Sequence, residues 1–195
     1  MPPDATLMGL MRDSVTAPRE TATQLLGLHL PRSVLLEGTA LLAVVNGLLA
    51  VLVGGIAMPM QDGSEMVINP ILWTLILFAG IILSASALQV AGRILGGIGG
   101  FEGALLVTVW INSLGLAIEL ATILLGFLSV DVASIFFLLG LVVLLWALVN
   151  FVRVLHGFDG ILRSFLAIVL AGFGTLVGLS FLLTLAVSLG APANV

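Results

Sequence analysis

Glu119 stands inside a long run of uncharged apolar residues, where an ionised carboxylate costs about 3 kcal/mol on insertion scales. Asn112, Gly115, Glu119, Thr122 and Gly126 follow one another at spacings of three and four, which places them on one helical face. Such a stripe is expected to face protein or water. One chemistry it could support is ion or proton binding, with a protonatable carboxyl, Asn and Thr oxygens around it, and small residues leaving room. The simpler role is a protonated, hydrogen-bonded Glu that holds its helix against a neighbour. The simpler role is preferred, because no basic or second acidic residue lies at matching depth. Asn46 belongs to another small or polar face, with Thr39, Ala43, Ala50 and Gly54, and is the candidate to meet Glu119.

A second group of polar residues gathers where apolar runs end: Glu37, Gln89, Arg93, Asn150, Arg153, His156 and Asp159. Glu37 is expected to pair with Arg32 or another arginine at the boundary, and the others to form a polar cap with snorkelling arginines. His29 and His156 are the only histidines. No His-Glu-x-x-His pair, metal-ligand cluster or nucleophile elbow occurs, and the run Gly96-Gly97-Ile98-Gly99-Gly100 lacks the Gly-Lys-Ser/Thr ending of a phosphate loop. The chain is therefore expected to be non-enzymatic, with no cofactor, no metal and no catalytic residue.

The elements that position these groups follow from composition. Of 195 residues, 61% are hydrophobic and 8% charged, with a mean hydropathy of +1.32; too few polar side chains remain to cover a water-facing surface. A soluble fold is excluded. Five apolar runs are long enough to cross a hydrocarbon core, at 33–57, 71–90, 105–130, 132–154 and 161–189. They are continuous blocks without period-two alternation, so the expectation is an all-α, five-span bundle and not a barrel. The third and fourth runs are expected to meet in a tight turn at Asp131. Gly92, Gly96 and Gly100, and on the fifth run Ser164, Ala167, Ala171, Gly174 and Gly178, form small-residue strips for close helix approach. The absence of Cys removes disulfides and thiolate chemistry.

Residues 1–32 are more polar. Leu7, Met8, Met11 and Val15 recur at helical spacing among Asp4, Arg12 and Asp13, and Pro18 opens a second short segment that Gly27 stops. These are expected to be amphipathic helices on the membrane surface. A signal peptide is not expected, because acidic residues interrupt this region. Arg12, Arg19, Arg32, Arg93, Arg153 and Arg163 all fall on one side of a five-span arrangement, while the opposite loops hold Asp62, Glu65 and Asp131. By the positive-inside rule the N-terminus is inside and the C-terminus outside. The division is a surface segment at 1–32, a transmembrane domain at 33–190 and a short outer tail at 191–195.

Three stretches resemble the Yip (Ypt-interacting protein) family, in particular its bacterial members: Val15-Thr16-Ala17-Pro18-Arg19-Glu20, the glycine-rich entry Gly96-Gly97-Ile98-Gly99-Gly100-Phe101-Glu102-Gly103-Ala104, and the turn Val154-Leu155-His156-Gly157-Phe158-Asp159-Gly160. The resemblance implies a five-span, N-inside integral membrane protein of a bacterial inner membrane. Eukaryotic members are associated with vesicle trafficking and small-GTPase binding through a tyrosine-containing motif. This chain has no Tyr, so GTPase binding is not carried over. The expected function is partner interaction or membrane organisation; the alternative is a small transporter or channel subunit built on the Glu119 stripe. The expected partners are the lipid bilayer and, through small-residue faces, other membrane proteins or a second copy, with no nucleic acid.

Overall fold

The structure, a computed structural model, describes residues 6–53, 57–59, 65–67 and 69–190. Asp4, Gly54, Asp62 and the tail 191–195 lie outside the described residues. The order is α1 (Leu7–Thr16), α2 (Pro18–Leu26), α3 (Arg32–Leu52), β1 (Ala57–Pro59), β2 (Glu65–Val67), α4 (Pro70–Ile94), α5 (Phe101–Gly126), α6 (Val130–His156) and α7 (Ile161–Gly190). The five helices from α3 to α7 are each long and apolar enough to cross a membrane; the shortest has 21 residues, about 31 Å at 1.5 Å per residue. The protein is an all-α, membrane-embedded bundle. Large apolar side chains lie exposed along all five helices, among them Leu41, Leu75, Leu124, Leu138 and Phe173, and lipid is the solvent that makes this outward surface stable.

Two boundaries differ from the hydropathy reading. The first apolar run was expected to continue as helix to residue 57, but α3 stops at Leu52 and Ala57 instead opens a two-stranded antiparallel hairpin, Ala57 opposite Val67 and Pro59 opposite Glu65. A short apolar run suits either state, and hydropathy alone does not separate them. The tight turn expected at Asp131 lies earlier, at Phe127-Leu128-Ser129. Ser129 is the N-cap of α6, its hydroxyl accepting from the Val132 amide, which leaves Asp131 in the first helical turn, where a carboxylate suits the helix dipole.

α5 is the central helix. It packs most extensively on α6 and also on α4 and α3, while α7 lies mainly along α4. The core is concentrated toward the arginine-bearing end, called the inner end below: Leu88, Ala91, Ala104, Leu105, Val107, Phe151 and Val152 are all buried. Ser164, Ala167 and Ala171 of the α7 strip are buried too, and a Cβ added to Gly174 would touch Ala87 of α4. That strip serves packing within the molecule.

α1 and α2 cover the inner end, α2 against α6 and α5. Pro18 occupies the first turn of α2, where its missing N–H costs nothing. On α1, Leu10 and Met11 pack toward the core, while Leu7, Met8 and Val15 are exposed. The helix is thus amphipathic, and it is also docked: Ser14 is fully buried, and its hydroxyl accepts a 2.8 Å bond from Trp110 Nε1 while donating to the Leu10 carbonyl.

Candidate functional site

Asn46 of α3 and Asn112 and Glu119 of α5 line one groove of about 280 Å³, walled by Phe137, Leu141 and Leu144 of α6. Asn112 and Glu119 are seven residues apart, about 10 Å along the helix axis. Each amide nitrogen bonds within its own helix, Asn46 Nδ2 to the Leu42 carbonyl and Asn112 Nδ2 to the Thr108 carbonyl, both at 2.8 Å. Their carbonyl oxygens are left as acceptors. Glu119 makes no hydrogen bond or ion pair among the described residues. Thr122 gives its hydroxyl to the Ile118 carbonyl at 2.8 Å and is not part of the groove's lining.

The expectation that Glu119 is buried against a neighbouring helix is corrected: its side chain is exposed on the outside of the bundle, as is Asn112. The burial of α5 lies at its inner half, from Ala104 to Leu114, where α2, α3, α4 and α6 surround it. Spacing along a helix identifies a shared face. It does not say whether a neighbour covers that face.

The inner-face residues are arranged differently. Expected as a polar cap, His156 is instead 1% exposed and held by the turn between α4 and α5. The Ile98 amide donates to the His156 carbonyl at 3.2 Å, and the Gly99 amide donates to Nδ1 at 3.2 Å. With Nδ1 accepting, the neutral ring carries its proton on Nε2. Phe158 stacks on the ring, centroids 5.4 Å apart. Glycine is required all round it. A Cβ on Gly97 would stand 2.6 Å from the His156 Cβ, one on Gly99 2.7 Å from the imidazole, and one on Gly92 would overlap the ring. Both inner turns end their helices in left-handed glycines, Gly96 and Gly157, with the Gly97 amide reaching back to the Gly92 carbonyl and the Phe158 amide to the Arg153 carbonyl, the Schellman arrangement.

Of the remaining inner residues, Arg153 donates to the Asp159 carbonyl at 2.7 Å, while the Asp159 side chain is exposed. Asn150 is buried, its amide on the Trp146 carbonyl. Gln89 is half-buried and Arg93 exposed. Glu37 does not pair with Arg32, as had been expected. Arg32 bonds Glu102 at 2.8 Å and lies over the Phe101 ring, because the N-termini of α3 and α5 meet at the inner end; Glu37 is exposed one turn further along α3.

Two partners escaped the sequence reading. Ser14 lay unremarked in α1, and Trp110 in the third apolar run. The available signal was the buried indole N–H, which needs an acceptor. Among the described residues no three His, Asp or Glu side chains come together in a group able to hold a metal ion.

No curated protein and no solved structure matches the chain. The model of the Yip1 domain matches residues 12–182, a span that runs from α1 through the docked Ser14, the glycine-wrapped His156 and the Glu119 groove into α7. The chain belongs to the Yip1 domain family.

Proposed function

We propose that this protein is a non-enzymatic integral membrane protein of the Yip type that acts by contact with other membrane proteins, seated in a bacterial inner membrane with its N-terminus inside and its C-terminus outside. The observation that carries the reading is the unpaired carboxyl of Glu119, exposed on the bundle in one groove with Asn46 and Asn112. In hydrocarbon, lipid tails offer such groups no hydrogen bond, whereas a polar side chain on a partner's helix does. A non-enzymatic role is supported by the placement of the histidines: His29 bonds the Gly27 carbonyl at the surface and His156 is enclosed by glycines, so neither reaches the groove. The orientation rests on the six arginines.

A photo-crosslinking residue at Phe137 or Leu141, on the groove wall, tests the reading in native membranes. Partner adducts are expected to persist in Glu119→Gln, which keeps hydrogen bonding, and to disappear in Glu119→Leu. Adducts indifferent to both changes would overturn it. Ion flux in proteoliposomes that Glu119→Gln abolishes would replace it with the transport reading.

A further inference from the structure

Acceptors predominate among the polar groups of the Glu119 groove. Asn46 and Asn112 each place an amide N–H on a carbonyl of their own helix, and each keeps its carbonyl oxygen free, while an ionised Glu119 offers two oxygens and no donor. The rest of the lining is apolar, with Phe137, Leu141 and Leu144 contributed by α6. A side chain complementary to both parts is apolar along its length and donates at its tip. Lysine and arginine are built this way, with a methylene stem and a cationic head that only donates. Serine or asparagine has no stem to lay on the α6 wall.

The chain cannot supply that cation itself. Its six basic residues are Arg12, Arg19, Arg32, Arg93, Arg153 and Arg163, in α1 and α2, at the start of α3, at the ends of α4 and α6, and at the start of α7, all at the inner end. Glu119 lies 17 residues beyond Glu102, the partner of Arg32, and so about 26 Å along α5 from that end. A second copy inserted in the same direction carries its arginines at the same inner level and brings none to Glu119. On the outer side Glu65 and Asp131 add negative charge, and no basic residue accompanies them. Ionisable side chains within a membrane pair with one another. We propose that the groove receives a lysine or arginine side chain from a transmembrane helix of a different protein, its stem along the α6 wall and its cation on Glu119. This inference rests on the partner-contact reading above and adds the chemistry of the partner.

The test uses defined peptides in place of the partner. The full-length protein, labelled at a cysteine introduced after Val195, is reconstituted in phosphatidylcholine vesicles with a dye-labelled Leu/Ala transmembrane peptide. The peptide carries Lys, Arg, Gln or Leu at one position about 10 Å inside its outer end, matching the seven residues from Glu119 to Gly126 at the end of α5. Energy transfer should show the Lys and Arg peptides associating several-fold more strongly than the Gln and Leu peptides. Glu119→Leu should reduce the Lys peptide to the level of the Leu peptide. Glu119→Gln, whose amide oxygen still accepts from an ammonium, should retain part of the association, and Glu37→Gln, an exposed carboxyl outside the groove, should change nothing. The peptide series on the wild-type protein keeps the test decisive where a variant does not fold. A Gln peptide that associates as strongly as the Lys peptide, both through Glu119, would overturn the inference and leave the partner-contact reading standing. Energy transfer between two labelled copies that Glu119→Leu abolishes would overturn it by giving the groove to a second copy. Lys-peptide association equal in Glu119→Leu and wild type would overturn it as well; the reading beneath falls only if crosslinked adducts at Phe137 and Leu141 are also indifferent to the changes at Glu119.

Discussion

The backbone amide of Gly99 donates to Nδ1 of His156 at 3.2 Å, across 57 positions of the chain. This bond joins the α4 to α5 turn to the end of α6, and the imidazole fills the space that three glycines leave. Gly97→Ala and Gly99→Ala should each lower stability by about 1–3 kcal/mol through overpacking, read as a lower Tm in detergent. Because a methyl on Gly92 and the ring compete for one volume, Gly92→Ala combined with His156→Ala should cost less than the two single changes together. Additive losses would show that the ring is not what the glycines accommodate.

Trp110 and Ser14 hold α1 to the bundle. Ser14→Ala leaves a buried indole N–H without its acceptor and should cost about 1–3 kcal/mol, whereas Trp110→Phe in the same background removes the stranded donor and should recover part of that loss. A spin label at Met8 should report lipid contact in wild type and greater mobility in Ser14→Ala. An unchanged label would mean that apolar packing alone keeps α1 docked.

Glu119→Leu should leave the isolated protein as stable as wild type or more so, since an exposed, unpaired carboxyl is exchanged for a side chain that lipid solvates. Thermal unfolding of the monomer in detergent reads this directly. A large loss of stability would place an intramolecular partner on Glu119.

Reporter fusions after Met60, Gly97, Asp131, Gly157 and Val195 should read outside, inside, outside, inside and outside in turn, as the one-sided arginines require. An inside signal at Val195 would contradict a five-span path.

Hydropathy over about 20 residues is a local quantity, and the spans, the amphipathic N-terminal helices and their turn residues depend on it, so these were legible in the chain by itself. The polar groups of the groove were legible as well, since Asn112 and Glu119 share a face by spacing alone. What covers a face is not local. Glu119 lies open because the packing of α5 is concentrated near its inner end, a consequence of where α2, α3, α4 and α6 sit. Likewise, His156 read as a boundary residue because its enclosing glycines lie far off in the chain, at the end of α4 and in the turn that follows it, and Ser14 meets Trp110 only once α1 folds back over 96 positions of sequence. The sequence by itself determined which segments enter the membrane and which residues share a helix face; only the tertiary structure decided which of those faces are sealed by protein and which are left to lipid or a partner, because burial depends on close packing between helices distant in the chain.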